Sequence, residues 1–329
     1  MASQLLRPEE PLYARRRAMN QTLVSAHNPM SGPRHLGHYG STMKDWPALQ
    51  SDHELFIIID DLIAGIIQPG QRSQLQNRVF LTAHDFLATG IDTQRCHLVL
   101  TSFLPELFEL TLLMGTSMDM PYCERRYQES YLGRLHSYQR SELGLARYPS
   151  VSETVYPQLA LAALTLGLEA DSFQGGEEMR GYMDIMTDLA AQSLNGFKPP
   201  RLLSNDHSFL LGSNGLHMMA DSNAIYLRAP MAQIKGVCEA VDRGDVFAQW
   251  YAVLDGPKEA DALRGRALES RDREEMANFL ESRLQHFREA EITNQQIADA
   301  LEHGSARARK RLSRTLEKMK QNLGMPGYV

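Results

Sequence analysis

The sequence predicts an α/β domain built on a doubly wound parallel sheet, followed by an all-α helical domain. Three observations predict it. Glu54-Leu55-Phe56-Ile57-Ile58-Ile59 is a continuous apolar, β-branched run of the kind buried on both faces of a parallel sheet. Strand-like and helix-like stretches alternate through the first half. After Ala229-Pro230 only helical periodicity remains. The division expected is an arm over 1–21, the α/β domain over 22–228 and the helical domain over 229–329.

With 329 residues, 43% of them hydrophobic, the chain has enough apolar material for one large core or two smaller ones. No uninterrupted apolar stretch reaches membrane-spanning length, and MASQLLRPEEPLYARRR lacks the apolar segment of a signal peptide. A cytoplasmic protein without membrane association is expected. The formal charge of -6 argues against a surface that coats nucleic acid generally, so any RNA contact has to be local. Cys96, Cys123 and Cys238 are scattered without the spacing of metal ligands, so no metal site is indicated and each reads as a small buried hydrophobe.

In chain order, residues 1–21 are rich in arginine and proline without periodicity, and the Arg15-Arg16-Arg17 triplet reads as a solvated face. Leu23 and Val24 mark the first strand. Pro29-Met30-Ser31-Gly32-Pro33-Arg34-His35-Leu36-Gly37-His38-Tyr39-Gly40 joins it to a helical run carrying Tyr39, Met43, Trp46 and Leu49. Such a junction offers free backbone N–H groups and a positive helix end to an anion. His35 and His38 fall on one face beside that end, and Gly37 permits close approach to the backbone. A polyphosphate is the natural guest.

The next strand ends on Asp60-Asp61, where open α/β sheets bind ligands, with Asp61 also placed to cap the following turn. Leu75, Val79, Phe80, Ala83, Phe86 and Leu87 form a helical stripe closed by Gly90. His97 to Ser102 reads as a third strand, and Pro105 to Met114 as a helix opened by Pro and Glu. A further helix begins at Tyr156-Pro157. The closing run Ser305 to Leu323 has a seam of Leu312, Leu316, Met319 and Leu323, with Arg307, Arg309, Lys310, Arg311, Arg314, Lys318 and Lys320 covering the rest. This is the strongest charge asymmetry in an acidic chain, and its functional reading is contact with a phosphate backbone.

Several of these stretches, in order, resemble the tryptophanyl-tRNA synthetase family of class I aminoacyl-tRNA synthetases. PMSGPRHLGHYGSTMKDWPALQ is similar to the crossover that carries the family's "HIGH" signature, and AHDFLATGIDTQRCHLVLTSFLPELFEL to the strand and helix that follow. FLLGSNGLHMMADSNAIYL resembles its "KMSKS" loop in degenerate form, with Gly212, Gly215, Met218, Ala220, Asp221, Asn223, Ile225, Tyr226 and Leu227 fixing the register. HGSARARKRLSRTLEKMKQNLG is close to the family's last helix, so the resemblance runs from about Thr22 to Gly324.

The resemblance implies a Rossmann-like domain followed by a helical tRNA-binding domain, and a homodimer. The activity it implies is a ligase that activates a carboxylic or amino acid with ATP and Mg2+ and passes it to tRNA. His35 and His38 would bind phosphates, with Ser31, Gly37, Gly40, Gly176 and Met218 completing the nucleotide site. Tyr156, Leu164, Glu177 and Met179 would line the acid pocket, and Arg307, Arg311 and Arg314 would meet tRNA.

The chain departs from the family at several charged or polar positions. His217 stands where the loop's first lysine belongs, and an imidazole, with a reference pKa of about 6.5, is only partly cationic at neutral pH. Glu129 or Ser130 replaces the lysine of the family's ERMTQFK pattern. Leu164 falls where an aspartate would receive the indole N–H, so tryptophan is expected to be disfavoured. Alternatives to the ligase are a paralogue that acylates a small molecule from charged tRNA, and a non-catalytic tRNA-binding regulator.

Overall fold

The computed structural model describes residues 21–129, 150–192, 196–219 and 223–325. Five parallel strands form one sheet in the order β3-β2-β1-β4-β5: β1 (Gln21–His27), β2 (His53–Ile59), β3 (Cys96–Leu100), β4 (Ser172–Gln174) and β5 (Arg201–Leu203). The helices α1 (Leu36–Ser41) and α2 (Trp46–Leu49) follow β1, and α3 (Asp61–Ile67) and α4 (Arg72–Leu87) follow β2. Between β3 and β4 run α5 (Pro105–Gly115), α6 (Met120–Glu129) and α7 (Val151–Gly167), and α8 (Arg180–Gln192) leads to β5. The chain closes with α9 (Met231–Glu239), α10 (Gly244–Val253), α11 (Ser270–Glu289) and α12 (Asn294–Asn322).

The apolar run in β2 is buried on both faces because successive side chains point to opposite sides of the sheet. Leu55, Ile57 and Ile59 join the core that also holds Trp46, Phe86 and Trp250, while Phe56 and Ile58 join the one with Leu110, Leu164 and Phe173. The strand order reverses between β1 and β4. That switch point opens a crevice beyond the carboxyl ends of the strands, where His27, Asp60, Thr101 and Gln174 end up.

Three sequence expectations change here. The helix read as starting at Tyr156-Pro157 starts at Val151, because Ser150 and Glu153 form a reciprocal capping box, and Pro157 lies inside it. The short strand β5 was not expected. Most consequentially, the 228/229 boundary does not separate two cores: Phe247, Leu280 and Leu301 share one apolar cluster with Leu23, Ile57 and Leu98.

The last helix belongs to the sheet. Residues Ile297, Ala300 and Leu301 of α12 enter one core, and Ala308, Leu312, Leu316 and Met319 the other, so the helix crosses the free edge of β3. A Cβ on Gly304 would lie 2.1 Å from Leu98 O, and Ser305 Oγ accepts the N–H of Leu100 at 3.0 Å. A small residue followed by a hydroxyl thus covers an edge strand that would otherwise invite pairing.

Candidate nucleotide and acid site

His35 and His38 form a reciprocal cap on α1. Nδ1 of His35 accepts the N–H of Gly37 at 3.1 Å, Nδ1 of His38 accepts the N–H of His35 at 3.3 Å, and the two rings stand 3.9 Å apart. With both Nδ1 atoms accepting, each ring carries its hydrogen on Nε2. Burial, then the Arg34 charge, then His217 push His35 down to about 3; burial, then Arg34, His35 and His27 hold His38 well below the ordinary imidazole range. Both are therefore neutral donors at pH 7.

The free helix end expected from the sequence is largely used up, since the N–H of Leu36 goes to Ile225 O at 2.8 Å and that of Gly37 to His35. The ring Nε2–H groups, not the backbone, are what the turn offers an anion. The glycines also differ in use from expectation. A Cβ on Gly37 would meet the His35 ring at 2.9 Å, so that residue makes room for the cap. One on Gly40 would meet Val253 and His207 at 3.2 and 3.3 Å, so protein, not nucleotide, approaches there.

Arg34 is 2% exposed, and its Nη2 donates to Asn28 O, Ser31 Oγ and Gly32 O at 3.0, 2.9 and 2.9 Å. It holds the turn through Gly32, whose φ of 94° suits only glycine. Ser31 Oγ in turn donates to Asn28 O at 2.9 Å.

The second signature packs directly on the first. Leu36 N–H donates to Ile225 O, Leu227 N–H donates to Arg34 O at 3.0 Å, and Met218 Cβ is 3.7 Å from where a Gly37 Cβ would stand. Asn223 organises the loop: its Nδ2 donates to Asn214 Oδ1 and His217 O at 2.6 and 3.0 Å, and its Oδ1 accepts the N–H of Met219 at 2.7 Å. His217 is exposed and stacks on Phe209, ring centroids 4.4 Å apart. Ala220 and Asp221, used to fix the register, lie outside the described residues.

Across the switch point, Trp46 Nε1 donates to Gln174 Oε1 at 2.8 Å and Gln174 Nε2 to Thr42 O at 3.2 Å, tying the α1 side to β4. At the end of β2, Asp60 rather than Asp61 caps α3, accepting the N–H of Ile63; Asp61 accepts the N–H of Ser102 at 2.9 Å. The Thr101 hydroxyl lies 2.9 Å from Asp60 Oδ1 and 3.0 Å from Asp61 Oδ1. It has one hydrogen for two carboxyls. Burial pushes Asp60 up to about 7, against hydrogen bonds from Thr101 and Ile63 that lower it.

Tyr156 and Tyr182 both feel the Asp60 charge, and both keep part of their surface accessible, as does Asp60. The Tyr156 hydroxyl is buried and has no hydrogen-bond partner among the described residues; the neighbouring Thr111 hydroxyl gives its hydrogen to Leu107 O. The Asp60 carboxyl thus lies within electrostatic reach of both tyrosines at the carboxyl end of the sheet. Met179 is half-buried beside Gly175, and Gly176 is buried in the same turn. Glu177 lies in the turn Glu177–Met179, and its side chain falls outside the described residues.

Leu164 does not line this crevice. It is 1% exposed in the core beneath α7, with Val24, Phe56 and Leu110, because its side of the helix faces the sheet. A leucine in the core leaves tryptophan open as a substrate.

Arg307 and Arg311 are both engaged by acidic and polar groups of the protein itself. Arg307 Nε donates to Glu54 at 2.8 Å, and Arg311 pairs with the same carboxylate while donating to Thr22 Oγ1 and Leu168 O at 2.7 and 3.1 Å. Arg309, Lys318 and Lys320 pair with Glu106, Glu169 and Glu109. The basic face of the helix is largely matched by acids from distant parts of the chain. Arg314 and Lys310 are exposed and have no partner among the described residues.

Arg34, Gln174 and Asn223 carry the site's scaffold, and sequence reasoning missed their roles. A buried arginine reads like a solvated one in sequence; its place between Pro33 and His35, inside the turn, is the signal that could have singled it out.

The family profile described as "tRNA synthetases class I (W and Y)" matches residues 22–308. The chain is 26% identical over 327 residues to the tryptophan–tRNA ligase of Treponema pallidum, covering 90% of this chain and 94% of that one. Over 174 residues it is 30% identical to tryptophan–tRNA ligase 2 of Streptomyces avermitilis, covering 53% and 48%. Its fold matches the tryptophanyl-tRNA synthetase of Campylobacter jejuni complexed with ADP and tryptophan at a TM-score of 0.75 and 19% identity, covering 93% of this chain and 100% of that one. The chain belongs to the class I tRNA synthetases of the tryptophan and tyrosine family, and is an aminoacyl-tRNA synthetase-type ligase.

Proposed function

We propose that this chain joins an amino acid or related carboxylic acid to ATP and passes the acyl group to tRNA. The carboxylate oxygen attacks the α-phosphorus, the bond from that phosphorus to pyrophosphate breaks, and a tRNA hydroxyl later takes the acyl group with release of AMP. No protein nucleophile is required. The observation that carries this reading is the packing of the His35–His38 turn against the 209–228 loop at the switch point of the sheet, where Leu36, Met218 and Ile225 meet.

In this reading the Nε2–H groups of His35 and His38 bind phosphate, with Ser31, Gly37, Gly176 and Met218 around the nucleotide and His217 reaching in from the loop. Tyr156 and Met179 line the acid pocket, and the turn at Glu177 closes it. Among the described residues no group of three or more His, Cys, Asp or Glu is arranged to hold a metal, so Mg2+ is assigned to the phosphates of ATP. Tryptophan is the first acid to test, since the relatives above are named for it.

Arg314 and Lys310 are the cations of α12 left for tRNA. A homodimer is supported by two exposed apolar side chains, Phe108 and Leu112, one helical turn apart on α5. No described helix is long and apolar enough to cross a membrane; we place the reaction in the cytoplasm. Amino-acid-dependent exchange of pyrophosphate into ATP tests the proposal. Exchange with one acid of a broad panel supports it, and none with any of them overturns it.

A further inference from the structure

We propose that Arg34 is the standing cation of the nucleotide site, a positioning residue whose charge favours the polyphosphate that the 213–219 loop, lacking lysine and arginine, cannot hold. The inference rests on the ligase reading above and adds to it the residue that supplies the positive charge.

The geometry of Arg34 is unusual for a structural arginine. Its side chain is 98% removed from solvent, yet among the described residues it forms no ion pair. All three of its hydrogen bonds leave from Nη2 and end on neutral oxygens of the 28–32 turn. Its Nε is buried and has no hydrogen-bond partner among the described residues. A neutral donor could satisfy those three oxygens, so the turn does not by itself call for a charge. A buried cation without a contacting anion is destabilising unless something offsets it, and an anionic ligand is the natural offset.

The nearest carboxylate that senses Arg34 is already committed. Asp85 is ion-paired with Arg228 at 2.5 Å, and burial pushes its carboxyl up to about 6. Burial brings Arg34 down to about 10, which leaves it cationic at neutral pH. Its field reaches the site: after burial, Arg34 is the cause that lowers His27, His35 and His38 alike. The three imidazoles stay neutral while Arg34 stays charged; Arg78 is a second guanidinium whose charge reaches Arg34 and helps lower it. Nearby Lys44 donates to Val253 O at 3.1 Å and faces Asp255, away from this role.

A unit charge on the order of 10 Å from a phosphate, at an effective dielectric of about 20, changes affinity by roughly tenfold. The test uses full-length protein carrying Arg34→Met, Arg34→Gln or Arg34→Lys. Two quantities are read: ATP affinity by calorimetry in the presence of Mg2+, and the titration of the histidine rings by NMR without nucleotide. Arg34→Met should bind ATP about tenfold more weakly, and its ring titrations should move to higher pH. Arg34→Lys, which keeps the charge but not the fork, should stay within about threefold of the wild type.

If Arg34→Met does not fold, Arg34→Gln is read the same way, because it keeps a donor for the turn and drops the charge. Equal weakening by the Lys and Met or Gln variants would show that shape and not charge matters, and would overturn the inference. So would unchanged ATP affinity in the neutral variants. Wild-type protein that binds no ATP would overturn the ligase reading and the ligand assigned here together. Tight wild-type binding with a neutral variant equally tight would sink this inference alone.

Discussion

Nδ1 of His38 accepts the main-chain N–H of His35 at 3.3 Å, while Nδ1 of His35 accepts that of Gly37 at 3.1 Å. The side chains that cap α1 are therefore the same ones proposed above to bind phosphate, and the two roles fall on opposite nitrogens of each ring. His35→Asn separates them. An asparagine oxygen replaces the cap but has no second nitrogen to reach a phosphate. Thermal unfolding should change by no more than about 0.5 kcal/mol, whereas His35→Ala should lose about 1 kcal/mol. Pyrophosphate exchange should fall about 10²-fold in both. Full exchange activity in His35→Asn would remove His35 from phosphate binding.

Asp60 gives the protein a pH dependence of definite sign. Its carboxyl titrates near 7 in the folded chain against 3.8 ordinarily, because of burial. The folded state thus holds a proton that the unfolded state releases between those values, and the stability this group contributes falls as pH rises from about 4 to 7. Asp60→Asn keeps the cap on Ile63 and can donate to Thr101. Relative to wild type, it should gain at least about 1 kcal/mol between pH 5 and pH 8, measured by urea unfolding. Parallel curves for the two proteins would mean that Asp60 ionises normally.

What the sequence made legible, and what it hid, divides along a physical line. The burial of β2, the stripe of α4 and the HxGH turn were readable because local periodicity and turn chemistry determine them. The fate of the basic helix was not, since Glu54, Glu106 and Glu169 lie 149 to 257 positions away from their partners and no local pattern announces such pairs. Leu164 failed for a different reason. Sequence resemblance put it in the family's pocket position, but which side of α7 faces the sheet is decided by packing, and Leu164 is on that side. Asp60 and Asp61 were both legible as acids at a strand end; which of them caps α3 is decided by the geometry of a single turn.

Glu54 fastens the last helix to the sheet. It accepts from His97 at 3.0 Å, from Arg307 at 2.8 Å and from Arg311, and these bonds, that of His97 foremost, hold its carboxyl down to about 2. A carboxylate depressed from 4.5 contributes stability that is fully present above that value and is lost as pH falls through 2. Glu54→Gln should therefore lower stability by about 1–3 kcal/mol at pH 7, with the difference from wild type shrinking toward pH 2. Denaturant midpoints at the two pH values check this; an equal difference at both would assign the loss to packing.

The apolar strip on α5 makes a separate claim. Leu112 is 71% exposed and Phe108 48%, on a helix whose other face is buried against the core. If two copies meet there, Leu112→Asp places two desolvated charges at the contact and should yield a monomer at concentrations where the wild type is a dimer. Sedimentation velocity reads the change directly. A wild type that is monomeric at tens of micromolar would remove the homodimer from the proposed function.

The loop carries the last expectation. His217 is exposed, stacked on Phe209, and its carbonyl is held by Asn223, so the side chain at this position is free to be exchanged without disturbing the bonds that shape the loop. A lysine there would add a full positive charge on a longer arm, in a reaction whose pentavalent phosphorus is stabilised by preorganised cations and donors. His217→Lys should raise the rate of pyrophosphate exchange by about tenfold or more and leave the unfolding midpoint unchanged, while Asn223→Ala should lower both, because it frees the loop backbone. Unaltered exchange in His217→Lys, with unaltered stability, would mean that the loop does not reach the phosphates and that the nucleotide is held from the Arg34 side alone.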